Sequence, residues 1–285
     1  MSDTPLRQAL GSFLEGWRND VPTSWQPALN GIEPAYEEVR ADLLLRELEV
    51  IFPGRRGSAV AGAPVGAHIF KSLDRLAPRD VKAVVIGQDP YPRVGRATGR
   101  AFEQGDLSGW SGAGNVVTTS MKRLMQVASH QRTGDTGYLG NGGWNRVQSD
   151  LASGVLNFKT PRAQFDAWED AGVLWLNAGL TLSHYVQGGA PEQKFGHIPL
   201  WRPIVRRIIQ HLVQRANRRV VFLTWGAFAQ DVLAGAGVKN DPAWGMTAGM
   251  AAYPHPATAE FLAPPNPLAK ANTILAGLGG APIIW

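Results

Sequence analysis

The apolar positions of this chain fall into two patterns. Residues 81–86, 173–176, 220–223 and 250–253 are short apolar runs, mostly β-branched or aromatic, which predict strands buried on both faces. Residues 36–52 set Val39, Leu43, Leu44, Leu48 and Ile51 at helical spacing and predict an amphipathic helix. Similar patterning predicts helices over 117–128, 204–213 and 266–275, with a shorter one over 69–76. Strands alternating with helices predict an α/β fold on a central four-stranded parallel sheet flanked by helices. Residues 54–66 read as a loop, and 105–114 and 133–143 as Gly-rich surface insertions. No fixed-period repeat and no long Pro/Ser tract divides the chain. A single domain over 1–285 is expected, with 1–30 as an N-terminal extension carrying Phe13, Trp17 and Trp25.

Composition narrows the chemistry. The 285 residues suffice for a sizeable core, and 44% hydrophobic against 18% charged residues excludes global disorder. Cysteine is absent, which removes disulfides, thiol nucleophiles, Cys-ligated zinc and cysteine-held iron–sulfur clusters. No secretory signal and no membrane span are evident, so a cytoplasmic protein is expected. The net charge of +5 is unevenly spread: residues 1–50 hold four Arg and nine acids, and the rest 24 basic against 14 acidic residues. A basic body suits a polyanionic partner, nucleic acid first, and equally suits an ordinary basic enzyme.

Phosphate-loop, dinucleotide, H-E-x-x-H and G-x-S-x-G motifs are absent, and Gly109, Gly112 and Gly114 fit no phosphate cradle. Chemistry gathers instead after predicted strands, where ligands of parallel sheets bind. Gly87-Gln88-Asp89-Pro90-Tyr91-Pro92 follows the first. Its prolines hold Asp89 and Tyr91 extended, so a stiff loop presents one carboxylate and one phenol. Asp89 as the cap of a rigid turn is an equal reading on these grounds. Asn177 ends the second strand and offers an amide to a planar ring edge, or simply a turn. His255 stands between Pro254 and Pro256 after the last strand, suited to a tuned hydrogen bond near neutral pH or to a structural role.

Taken together these strings resemble family 1 uracil-DNA glycosylases, from about Trp25 to the C-terminus. The string Gly87–Tyr91 resembles that family's water-activating motif, and Phe102 its base-stacking residue. The run ending at Asn177 looks like its uracil-reading strand, and Trp225-Gly226-Ala227-Phe228-Ala229-Gln230 like its phosphate-gripping loop. His255-Pro256 looks like the start of its intercalation loop, here Pro256, Ala257, Thr258 and Ala259. The resemblance implies a three-layer α/β/α fold and hydrolysis of the bond between uracil and deoxyribose in DNA, single- or double-stranded. Asp89 would polarise water, and His255, with the Gln88 backbone, would support uracil O2. Asn177 would read the base edge, Tyr91 exclude a C5 methyl, and Phe102 stack. Thr119, Ser120, Gly226 and Ala227 would meet phosphates. The resemblance implies no cofactor or metal, no membrane and a monomer. Alternatives are a catalytically weak protein that binds uracil or abasic sites, and a glycosylase for other deaminated bases.

The chain also departs from that pattern. Ala259 stands where the family keeps a wedge Leu, leaving Phe261 or Leu262 as substitutes. Pro92 stands where a His is usual, and Ala227 where a Ser is. The stretch between Phe102 and Asn177 is long, and Arg132, Arg146, Lys159 and Arg162 are its candidate phosphate contacts.

Overall fold

The predicted strands become β1 (Ala83–Gly87), β2 (Val173–Asn177), β3 (Val220–Trp225) and β4 (Ala248–Tyr253) of one sheet. They are all parallel and lie in the order β2-β1-β3-β4. Every residue of β1, β2 and β3 is buried. Period-two alternation sends Val84, Ile86, Leu174, Leu176 and Phe222 into one core and Ala83, Val85, Trp175, Val221 and Leu223 into the other. The structure, a computed structural model, describes residues 3–112, 114, 116–186, 189–214, 219–238 and 248–285. Met1 and Ser2, in the predicted extension, and Ala113, in the first predicted insertion, lie outside the described residues.

Helices cover both faces. Besides the single turn Gln26–Leu29, labelled in chain order they are α1 (Leu6–Phe13), α2 (Thr119–Thr133), α3 (Gly143–Ala152), α4 (Pro161–Asp170), α5 (Ile198–Gln214), α6 (Ala227–Gly235) and α7 (Pro267–Gly277). Trp201, Ile204, Ile208 and Leu212 of α5 fill the first core with Leu6 and Leu10 of α1. Met121, Leu124, Trp168, Leu268 and Leu275 fill the second. No helix among the described residues is long and apolar enough to cross a membrane.

Two predicted helices are corrected. Residues 36–52 form a 3-10 turn (Tyr36–Glu38) and a two-residue strand (Leu44–Leu45) paired with Thr4–Pro5. Val39, Leu43 and Ile51 are buried, but Leu48 is 94% exposed. The backbone here bonds to distant chain instead of itself: Leu6 N–H to Leu43 O at 2.8 Å, and Arg40 N–H to Phe195 O at 2.9 Å. Residues 69–76 keep one 3-10 turn, Lys71–Leu73, closed by bonds from Leu73 N–H to Phe70 O at 2.9 Å and from Asp74 N–H to Lys71 O at 3.2 Å. The first thirty residues are anchored in the first core through Leu6, Leu10, Trp17, Trp25 and Leu29. Trp25 also donates its indole N–H to Leu76 O at 2.7 Å. The Gly-rich stretches are likewise packed: Trp110 is buried and donates to Lys159 O at 2.6 Å, and buried Tyr138 donates to Asp150 at 2.7 Å.

A buried ionic cluster fixes the segment after the β1 loop. Arg100 binds Glu169 through two nitrogens at 2.9 and 2.5 Å, Glu103 at 3.1 Å and Asp166 at 2.6 Å. Arg100, Glu103 and Glu169 are all buried. Removing the cation strands buried carboxylates. Arg100→Met is therefore expected to lower unfolding stability by about 3–5 kcal/mol in urea titrations. A loss below about 1 kcal/mol would show that the cluster does not hold the segment.

Candidate active site

The parallel register brings the carboxyl ends of all four strands to one edge. Gly87 pairs with Asn177, and Trp225 with Tyr253. In a sheet of this order the chain reverses direction beside β1, leaving a crevice beyond that strand end. A cavity of about 470 Å³ opens there. Gln88, Asp89, Tyr91, Phe102, Ser120, Asn177 and His255 all line it. Thr119, Gly226, Ala227, Pro256, Ala257, Thr258 and Ala259 do not.

The loop after β1 is tethered to the chain after β2: Ala178 N–H bonds to Gly87 O at 2.9 Å, and Gly179 N–H to Gln88 O at 2.8 Å. Gly87 is required by close approach. A Cβ there would overlap Asn177 Oδ1 and come within 2.8 Å of Ala101 Cβ. Asn177 is buried, and its Oδ1 has no hydrogen-bond partner among the described residues. Asp89 Oδ2 is buried without a partner as well. Burial pushes the Asp89 carboxyl up to about 7.

Tyr91 places its hydroxyl 2.9 Å from Thr118 Oγ1, at the N-terminal cap of α2. Phe102 has φ 63°, a left-handed conformation that is costly for a residue with a β-carbon. It is held by its neighbours. Ala101 N–H bonds to Trp175 O at 3.0 Å, and the Phe102 ring meets Trp225 edge-on at 5.3 Å and His255 at 6.0 Å.

His255 accepts a hydrogen bond from Ala257 N–H at Nδ1, 3.0 Å away. A backbone N–H can only donate, so the neutral ring carries its proton on Nε2. Burial holds the imidazole below its ordinary value, which favours that neutral form. Arg123 of α2 donates to Pro256 O at 3.0 Å and ties this loop to the helix. Ser120 and Thr119 form the first turn of α2, where backbone N–H groups and the helix dipole favour an anion. Gly226 N–H already bonds to Tyr253 O at 2.8 Å, so that donor is engaged within the fold.

Several expectations for the rim are corrected. Phe261 is fully buried and packs on Trp225 at 5.1 Å, so it cannot serve as a wedge. Ala257, Thr258, Ala259 and Glu260 are exposed and carry no large apolar side chain. Arg132 is bound to the Trp285 carbonyl and lies 3.7 Å over Phe158, and Arg146 pairs with Asp135 and Asp150. Neither is a free phosphate contact; Lys159 and Arg162 are exposed. Motif reasoning missed Tyr185, Gly189 and Gln193, which line the cavity from the segment between β2 and α5. Nothing in their spacing signals this.

Comparison with known proteins fits the geometry. No family model matches the chain. A uracil-DNA glycosylase of Deinococcus deserti is 27% identical over 267 residues, covering 93% of this chain and 87% of the relative. One of Leuconostoc mesenteroides is 28% identical over 269 residues, covering 92% and 97%. Among solved structures, the wild-type UNG of Nitratifractor salsuginis aligns with TM-score 0.60 at 22% identity, covering 96% of this chain and 98% of that one. A mimivirus UNG variant in complex with UGI aligns at TM-score 0.58 and 15% identity, covering 96% and 94%. The fold is thus the α/β sandwich of these structures, with its cavity at the carboxyl edge of the sheet. The chain is a divergent relative of the uracil-DNA glycosylases.

The raised Asp89 value gives a stability test. Unfolded, the carboxyl ionises near its ordinary 3.8; folded, it holds its proton to about 7. Native stability therefore falls as pH rises between these values and levels off above the upper one. Asp89→Asn removes that penalty. It is expected to exceed the wild type in stability at pH 8 by on the order of a few kcal/mol, with the gap closing towards pH 4. Urea melts at the two pH values measure it, and no gain at pH 8 contradicts the burial argument.

Proposed function

We propose that this chain hydrolyses the N-glycosidic bond of uracil in DNA, releasing uracil and leaving an abasic site, as the first step of base excision repair. The observation that carries the reading is one cavity lined by a carboxylate with one buried oxygen, a neutral imidazole, an amide and an aromatic ring: Asp89, His255, Asn177 and Phe102. The target bond is buried in a duplex, so the nucleotide must swing out to enter.

Each group has a task. Water oxygen bonds to C1′ as the C1′–N1 bond breaks; the water proton passes to Asp89 and the electron pair leaves with uracil. Ionised Asp89 also stabilises positive charge on the sugar. A carboxyl tuned to about 7 is well matched to accepting a proton at neutral pH. His255 Nε2–H donates to uracil O2 as charge builds there. The unpartnered Asn177 Oδ1 accepts from uracil N3–H while its amide nitrogen donates to O4. Cytosine reverses both polarities and is rejected. Tyr91 fills the space beside C5, and Phe102 stacks on the base. The first turn of α2, with Thr119 and Ser120, takes a phosphate; Ala227, first residue of α6, is a second candidate.

The test is incubation with a single-stranded uracil oligonucleotide, then alkali, with strand scission as readout. Asp89→Asn is expected to lower kcat at least ~100-fold. Wild-type kcat/KM is expected to rise with pH through about 7, as Asp89 ionises. Binding of uracil DNA without scission would favour a silent binding protein instead.

A further inference from the structure

Withdrawing a nucleotide from a duplex leaves a gap in the stack, and the extruded state persists when a side chain fills it. The His255 loop presents no exposed large apolar group, since Ala257, Thr258, Ala259 and Glu260 are small or polar, Phe261 is buried and Leu262 is partly buried against the second core. The cavity is also lined by Tyr185, from the segment between β2 and α5. Tyr185 is 47% exposed, and of the Phe, Tyr and Trp residues lining the cavity it is the only exposed one among the described residues. Exposed aromatic surface at the mouth of a nucleic-acid cavity is suited to stacking on bases.

A wedge must also stand on a rigid base, or it yields instead of holding the stack apart. The three residues before Tyr185 are all anchored. Leu182 exchanges two backbone hydrogen bonds with Phe52, at 2.7 and 2.8 Å. Ser183 Oγ lies 2.9 Å from Nε2 of the buried His197, whose other ring nitrogen lies 2.8 Å from Thr181 Oγ1. His184 Nδ1 lies 2.9 Å from Glu49 Oε1. These ties reach Phe52 and Glu49 in the N-terminal part of the chain and His197 ahead of α5.

We propose that Tyr185 is the wedge of this protein, entering the duplex from the segment between β2 and α5 instead of from the His255 loop, and stacking in the place of the extruded nucleotide. The proposal rests on the reading of the chain as a uracil-releasing glycosylase. Its partner is double-stranded DNA, and its effect falls on duplex substrates above single strands, which have no stack to hold open.

The test compares kcat/KM on the same uracil sequence as single strand and as duplex, for wild type, Tyr185→Ala and Tyr185→Phe. Tyr185→Ala is expected to lower the duplex-to-single-strand ratio at least tenfold, and Tyr185→Phe to keep it within about threefold of wild type. Fluorescence of 2-aminopurine beside the uracil, read on binding in an Asp89→Asn background, is expected to rise with Tyr185 and to lose most of that rise with Ala. Equal losses on both substrates, or an unchanged ratio, would overturn the wedge role alone. Failure of the wild type to release uracil from single strands would overturn the glycosylase reading, and the wedge proposal with it.

Discussion

The close approach of the Gly87 backbone to the Asn177 amide is the contact on which the rest of the cavity depends. The two residues share one register position at adjacent strand ends, with no room for a β-carbon between them. That approach lets the Gly87–Pro92 loop lie against the chain after β2, fixed by backbone hydrogen bonds at Gly87 O and Gln88 O. Asp89 and Asn177 then reach the same space from different strands. A wider spacing would admit water behind the carboxylate and remove the burial that raises its proton affinity.

The electrostatics of the cavity follow from burial more than from charge. Desolvation is the single cause that raises Asp89, and the same cause lowers His255. No Lys or Arg stands among the described residues lining the cavity. One carboxyl and one imidazole thus meet near neutral pH with both inclined to be uncharged. The carboxyl is thereby poised to take up or release a proton close to pH 7.

Much of this was legible in the sequence because parallel strands place their carboxyl ends together. Runs at 81–86 and 173–176 ended in chemically loaded residues, and the register did the rest. What escaped depended on contacts remote in the chain. Tyr185 and Gln193 reach the cavity through the Leu182–Phe52 bridge and the turn before α5, which no local spacing announces. The helix expected over 36–52 failed because an extended chain can also bury Val39, Leu43 and Ile51. Arg132 and Arg146 read as free cations, yet a carbonyl and two carboxylates hold them. Composition does not reveal whom a charge has found.

The hydrogen bond from Arg123 to the Pro256 carbonyl joins two parts with different tasks. Arg123 lies on the helix whose first turn brings Ser120 to the cavity, and Pro256 follows the histidine. A shift of that helix would therefore pull, through this strut, on the loop bearing the imidazole. A side chain absent from the lining of the candidate cavity thus helps fix where its histidine loop stands.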